Sequence, residues 1–158
     1  MTSPDFSRVP FLDRHQLVAT LTSVLGDQLR SVRQPLDKRV YLEVESSAIQ
    51  DVAKILFIDL QARLQTASAI DAPKQIELLY HWAFDSAGLV VSVRTYVNRE
   101  QPEIASITQI CPAAEWIERE MRELMGIVFV GHPDPRHLLL QEDWPEGRFP
   151  LRRDYRKD

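Results

Sequence analysis

Ile76-Glu77-Leu78-Leu79-Tyr80-His81-Trp82-Ala83-Phe84, then Asp85-Ser86-Ala87-Gly88, then Leu89-Val90-Val91-Ser92-Val93-Arg94-Thr95-Tyr96-Val97 carries the strongest local pattern in the chain. Ile76, Leu78, Tyr80, Trp82 and Phe84 alternate with less apolar positions, the period-two signature of a strand with one buried face. Leu89, Val91, Val93 and Val97 continue the alternation on a return run. Between the two runs stands a four-residue turn in which Gly88 tolerates positive φ without a Cβ penalty. The segment reads as an antiparallel hairpin.

Working outward, residues 104–110 (Ile104, Ser106, Thr108, Ile110) predict a further short strand. Pro112 fits the first turn of a helix over about 113–125, where its missing N–H is not needed. The spacing of Ala114, Ile117, Met121, Leu124 and Met125 gives that helix one apolar stripe. Upstream, Ser47 caps an expected helix of about 49–65 whose inner face holds Ile49, Val52, Ala53, Leu56, Leu60 and Leu64. Before it, Val40, Leu42 and Val44 alternate in a strand over 40–45. Asp13 is placed to cap a helix over 13–29, along which Leu17, Leu21, Leu25 and Leu29 recur every four residues. The order α-β-α-β-β-β-α predicts an α+β fold, a partly antiparallel sheet with helices packed on one face. An extended, irregular C-terminal tail follows. The division is a body of 1–125 and a tail of 126–158 within one structural domain.

The chain has 158 residues, one domain's worth, and is 44% hydrophobic and 27% charged. That size suffices to bury a core without a disulfide or metal staple. A formal net charge of −4 argues against a generic nucleic-acid binder. Five dispersed glycines exclude both the Walker A and the dinucleotide glycine patterns. A single cysteine, Cys111, excludes an internal disulfide, a CxxC pair and a Cys-held iron–sulphur cluster. It reads as a small apolar residue at a strand-to-helix junction. No apolar run approaches the ~20 residues of a membrane helix. The expected location is the cytosol or the cytosolic face of a larger assembly.

The tail carries Pro133, Pro135, Pro145 and Pro150, which exclude long helices and central strands. It also carries Ile127, Phe129, Leu138, Leu139, Leu140, Trp144, Phe149 and Leu151. Thirty-odd irregular residues exceed an ordinary loop, and so many large apolar groups need cover. Either they fold back on the body or they lie on a partner. On the preceding helix, Glu118–Arg122, Glu115–Arg119 and Arg119–Glu123 are spaced for surface ion pairs. Glu118, Arg119 and Glu120 could equally pair with a neighbouring chain and fix its register. His132, Asp134 and His137 lie close enough to suggest a small metal-dependent enzyme as an alternative, although no HExxH motif or nearby cysteine supports it. The basic end, Leu151 to Asp158, admits either a short nucleic-acid arm or arginine forks that grip acidic groups on a protein.

Glu118-Arg119-Glu120, Glu123-Leu124-Met125-Gly126-Ile127, Phe129-Val130-Gly131-His132-Pro133-Asp134-Pro135-Arg136 and Leu138-Leu139-Leu140 resemble the signature of the C-subunit family of respiratory complex I (NADH-quinone oxidoreductase). Asp143-Trp144, Pro150-Leu151-Arg152 and Asp154-Tyr155 resemble that family's closing segment. Met125 stands where the family often has an aromatic residue, and His137 replaces the second of a usual arginine pair. The stretch 144–150 looks more like the counterpart subunit of energy-converting, membrane-bound NiFe hydrogenases, including formate hydrogenlyase-type complexes.

The resemblance implies a non-catalytic structural subunit in the hydrophilic arm of a membrane-bound, redox-driven ion pump. It implies no cofactor in this chain; iron–sulphur clusters, and a NiFe centre in the hydrogenase branch, belong to partner subunits. The implied partners are a large subunit resembling that of NiFe hydrogenases, which hosts the quinone site in complex I, and an iron–sulphur small subunit. Contact with the membrane is indirect, on its cytoplasmic side. The partner-binding residues expected on this reading are Glu118, Arg119 and Glu120 on the helix and His132, Asp134 and Arg136 in the turn. Phe129, Leu138, Leu139, Trp144, Leu151 and Arg152 complete the set along the tail. Removal of 127–158 is expected to leave a folded body.

Overall fold

The structure is a computed structural model and describes residues 12–156. Helix α1 (Arg14–Leu25) opens with the expected cap: Asp13 accepts from the Gln16 N–H at 2.9 Å, and the Gln16 side chain accepts from the Asp13 N–H. The two bonds satisfy two of the N–H groups that every helix start leaves unpaired. The helix ends at Leu25, earlier than the leucine spacing predicts, and Leu29 begins a strand, β1 (Leu29–Leu36). A turn leads into β2 (Arg39–Val44), on which Val40, Leu42 and Val44 are buried as the alternation requires.

The expected helix over 49–65 is corrected. α2 spans only Ile49–Lys54, a wide helical turn follows over Ile55–Asp59, and Gln61 adopts φ 53°. That left-handed residue ends the helical course, and the chain leaves it as β3 (Arg63–Asp71). The apolar set read for the helix is still buried at Ile49, Val52, Ala53, Leu56 and Leu60. The hairpin stands as predicted. β4 (Gln75–Phe84) and β5 (Leu89–Asn98) pair antiparallel from Gln75↔Asn98 to Phe84↔Leu89, and Gly88 takes φ 58°.

The five strands order as β1-β2-β5-β4-β3, with every pair antiparallel except β2–β5. Ile76, Leu78, Tyr80, Trp82, Val91 and Val93 from the centre of this sheet form one core with Leu17, Leu21 and Leu25 of α1 and Val52 and Leu56 near α2. Met121 and Met125 of the last helix, α3 (Glu115–Met125), join the same core. This is the α+β architecture read from the sequence.

The strand expected over 104–110 is shorter. β6 covers Glu103–Ala105 and pairs in parallel with β7 (Val128–Val130), Ile104 opposite Phe129. Residues 106–110 instead turn toward α3, with the Ile110 and Cys111 N–H groups both on the Ile107 carbonyl. Ile127 and Phe129, 0% and 5% exposed, lie in the core although they stand beyond residue 125. Removing 127–158 therefore strips core residues and the partner of β6, contrary to the expectation that a folded body would remain.

Candidate functional site

α3 is the element around which the motif residues gather. Pro112 starts its first turn and Gly126, at φ 72°, ends it, donating its N–H to the Arg122 carbonyl. A glycine in this left-handed position is the common way for a helix to stop. The charged residues of α3 divide between a buried face and a face turned to the tail.

Glu118 is fully buried. Its carboxylate accepts from the Tyr80 hydroxyl of β4 at 3.2 Å, the Ser106 hydroxyl, and the Ile107 N–H at 3.0 Å. Burial raises its pKa from the ordinary carboxylate value, and the three donors oppose that rise. Burial also pushes the Tyr80 phenol up, with the Glu118 charge adding to it. Glu118 thus pins α3 to the central sheet and to the 106–108 turn. The placement of Glu118 on a solvated or partner-facing surface is corrected, because it has no surface to offer and its acceptors are taken within the chain.

Arg119 reaches the tail instead of Glu115 or Glu123. It donates to the Arg136 and His137 carbonyls and lies 3.1 Å from an Asp134 oxygen. Asp134 also holds the Arg136 guanidinium bidentately, at 2.9 and 2.7 Å, and accepts from the Arg136 N–H. The Arg136 guanidinium foremost, aided by Arg119, keeps the Asp134 carboxyl well below its usual range. His132 contacts the Glu115 carbonyl through Nε2 at 3.0 Å, and its Nδ1 accepts from the Asp134 N–H at 3.1 Å. That pattern fits the neutral ring with its proton on Nε2.

Both His132 nitrogens are therefore occupied, and Asp134 is committed to arginines. His137 points elsewhere, to Glu123 at 3.2 Å. The metal site suggested by His132, Asp134 and His137 is corrected on this geometry. Among the described residues, no group of three or more His, Cys, Asp or Glu side chains is placed to hold a metal ion. Cys111 is buried, as its position implies, and burial raises its thiol pKa.

Two carboxylates fasten the tail: Glu123, read from the sequence as a surface ion-pair and motif residue, and Asp71, which the sequence reading did not single out. Glu123 accepts from the N–H groups of Leu138, Leu139 and Leu140 at 2.8, 2.7 and 3.4 Å. Burial works against its charge, but these donors and His137 prevail and its pKa is lowered. Asp71, at the end of β3, takes the Arg99 guanidinium bidentately at 2.7 and 3.0 Å and the Arg153 N–H at 2.9 Å. The Arg99 hydrogen bond leads the forces that lower its pKa. Nothing in the local pattern of either residue announces these roles; only the path of the tail does.

The tail also completes the C-terminus of α3. The Leu151 N–H donates to the Leu124 carbonyl at 3.0 Å, and the Arg152 guanidinium donates to the Met125 and Arg99 carbonyls. The Leu124 and Met125 carbonyls are among those a helix end leaves unpaired, and a cation there complements the helix dipole. Phe149 lies directly against Gly126, and the Trp144 indole N–H is closed onto the Arg148 carbonyl at 2.7 Å.

The remaining sequence candidates sort by exposure. Phe129 is buried in the core, which corrects its placement at a partner joint; its alternation in β7 turns it inward. Leu139 and Leu151 are 63% and 60% exposed, and Trp116 on α3, which the sequence reading passed over, is 68% exposed. Trp116, Leu138, Leu139 and Glu120 border one shallow hollow of about 380 Å³ together with Leu64 of β3. The Leu139 N–H is bonded to Glu123 while its side chain is exposed.

The geometry defines an α+β block whose C-terminal tail is strapped onto α3 by Glu123 and onto the end of β3 by Asp71, with an apolar strip left facing outward. A sequence model described as "Respiratory-chain NADH dehydrogenase, 30 Kd subunit" matches residues 42–158, and the chain belongs to that family. It is 30% identical over 149 residues to the C subunit of the F(420)H(2) dehydrogenase of Methanosarcina mazei, covering 91% of this chain and 92% of that protein. It is 47% identical over 64 residues to formate hydrogenlyase subunit 5 of Escherichia coli, a match that covers 40% of this chain but only 11% of that longer protein. In structure it resembles a chain of a membrane-bound sulfane sulfur reductase, an archaeal respiratory membrane complex. The TM-score is 0.77 at 21% identity, over 90% of this chain and 85% of that one, a likeness of fold. No helix among the described residues is long and apolar enough to cross a membrane.

Proposed function

We propose that this chain is a non-catalytic docking subunit in the hydrophilic arm of a complex-I-like, membrane-bound, redox-driven ion pump, seated on its large catalytic subunit. The observation that carries the reading is the outward strip of Trp116 and Leu139. Large apolar side chains exposed on a backbone this firmly tied mark a surface meant for another protein. Membership of the respiratory 30 Kd subunit family supports it. The formate hydrogenlyase relative, in which the shared stretch is a small part of a longer protein, supports a place beside a much larger partner. The chain needs no cofactor for this role. The iron–sulphur clusters, and a NiFe centre in the hydrogenase branch, reside in the large subunit and the iron–sulphur small subunit. The assembly sits peripherally on the cytoplasmic side of the membrane.

The test is purification of the tagged full chain from native membranes in mild detergent. The expected result is stoichiometric recovery of a large hydrogenase-like subunit and an iron–sulphur subunit, abolished by Trp116→Ser with Leu139→Ser. Assembly of the double variant at wild-type yield refutes the docking reading. Nickel-ligating cysteines in the recovered large chain assign the hydrogenase branch, and their replacement by other residues assigns the quinone branch.

A further inference from the structure

Where the tail returns to the body, it encloses a second hollow, of about 460 Å³, on the side of α3's C-terminus. Its charged lining is Arg99, Arg148, Arg152 and Arg156 against Glu100 and Asp154. Among the described residues, four guanidinium groups border this one opening, two of them, Arg99 and Arg152, beside Asp71. The arginines are oriented by the protein. Arg148 lies over the Tyr155 ring at 5.5 Å and Arg152 over the Phe149 ring at 5.8 Å. Arg148 also donates to the Arg156 carbonyl. Stacking on an aromatic face fixes the plane of a guanidinium and directs its N–H edge toward an acceptor.

The floor of the hollow shows what these forks accept. Arg99 grips Asp71 bidentately and reaches Asp154 at 3.0 Å. This is the fork-to-fork geometry that suits a carboxylate. The two rim acids, with Glu100 83% exposed, break up the positive field. An unbroken polyanion such as a nucleic-acid strand meets repulsion there, whereas separated carboxylates can sit beside the arginines and leave Glu100 to a cation on the same partner.

We infer that this arginine-lined hollow seats an acidic segment of the partner protein, a carboxylate taken by the exposed Arg156. The inference rests on the docking reading above and names the charge chemistry of a second contact, separate from the Trp116–Leu139 strip. Such a contact sets register and partner choice and responds to salt, since exposed charges are screened over about 10 Å at about 0.1 M ionic strength.

The experiment titrates the full chain into fluorescein-labelled hexaglutamate at low salt, followed by anisotropy, with hexalysine, inorganic phosphate and a single-stranded oligonucleotide as separate arms. Saturable hexaglutamate binding is expected, weakened about tenfold by Arg156→Glu, retained in Arg156→Lys, and tightened by Glu100→Gln. Thermal unfolding of each variant verifies that the fold is kept, as the exposed positions of Arg156 and Glu100 predict. Absence of saturable binding, indifference to Arg156→Glu, phosphate competing at equimolar level, or an oligonucleotide bound as tightly as hexaglutamate each overturns the inference. The docking reading is judged separately by the Trp116/Leu139 assembly result.

Discussion

Gly126→Ala sets a methyl group where the chain has left no space. A Cβ at Gly126 falls 2.5 Å from the Phe149 ring, and the backbone there is at φ 72°. The left-handed conformation alone costs a non-glycine residue about 1 kcal/mol. The ring must also move. Phe149 is half-buried, so losing its contact costs about 1 kcal/mol, roughly half of what a fully buried phenylalanine contributes. Displacement loosens the adjoining Leu151 and Arg152 bonds to the helix carbonyls, worth about 1 kcal/mol together once water replaces them. The expected loss is about 3 kcal/mol in urea unfolding of the full chain, with an unchanged denaturant slope. In a Phe149→Ala background only the backbone cost persists, so the same substitution there costs about 1 kcal/mol and the coupling is about 2 kcal/mol. Equal losses in the two backgrounds would refute the ring-against-glycine latch.

Four further outcomes rest on the same geometry. Glu118→Ala leaves the Tyr80 hydroxyl, the Ser106 hydroxyl and the Ile107 N–H without their acceptor, and a loss of about 3 kcal/mol is expected in chemical denaturation. Because the Glu118 pKa is raised on folding, this residue favours the fold most below the ordinary glutamate range and loses that contribution as pH rises through its folded value. Glu118→Gln removes that slope, which stability-versus-pH curves measure. Asp71, Glu123 and Asp134 have the opposite sign: their pKa values are lowered, so their contribution is full above the ordinary carboxylate range and fades as pH falls through the folded values. Amide exchange at Leu138, Leu139 and Arg153, corrected for intrinsic rate, is therefore expected to accelerate on acidification before the hairpin amides do. Asp71→Asn, which removes the bidentate partner of Arg99 but leaves Asp154, and weakens the hold on Arg153, is expected to cost about 2 kcal/mol and to expose the 148–156 segment to trypsin.

The central hairpin was legible because both its strands bury one face, so period two survives in the residues themselves. β1 and β3 were not, and the reason is the same for both. They are the edge strands, largely exposed, and carry polar side chains where a central strand would carry apolar ones. Pro35 on β1 is tolerated only because of that edge position. The leucine repeat that ran on to Leu29, and the apolar spacing that ran on to Leu64, are features of burial and not of helix. The chain satisfies them with a helix followed by a strand. On α3 the four-residue spacing of charges suggested surface pairs, yet Glu118 and Glu123 turn inward because donors 11 to 38 residues away in sequence converge on them. Local spacing holds no trace of those donors. The motif residues His132, Asp134 and Arg136 stand together as the sequence suggests, but their geometry shows the turn bracing itself against Glu115 and Arg119.

The bond from Arg153 to Asp71 joins residues 82 positions apart, and the neighbouring contacts close α3 from beyond its own end. During synthesis, the end of β3 is made 82 residues ahead of its Arg153 donor, and the end of α3 is made 27 residues ahead of Arg152. Until then Asp71 lacks its backbone donor, and the Leu124 and Met125 carbonyls lack theirs. Arrival of residues 151–153 thus sets when Asp71 and the last α3 carbonyls gain their distant donors.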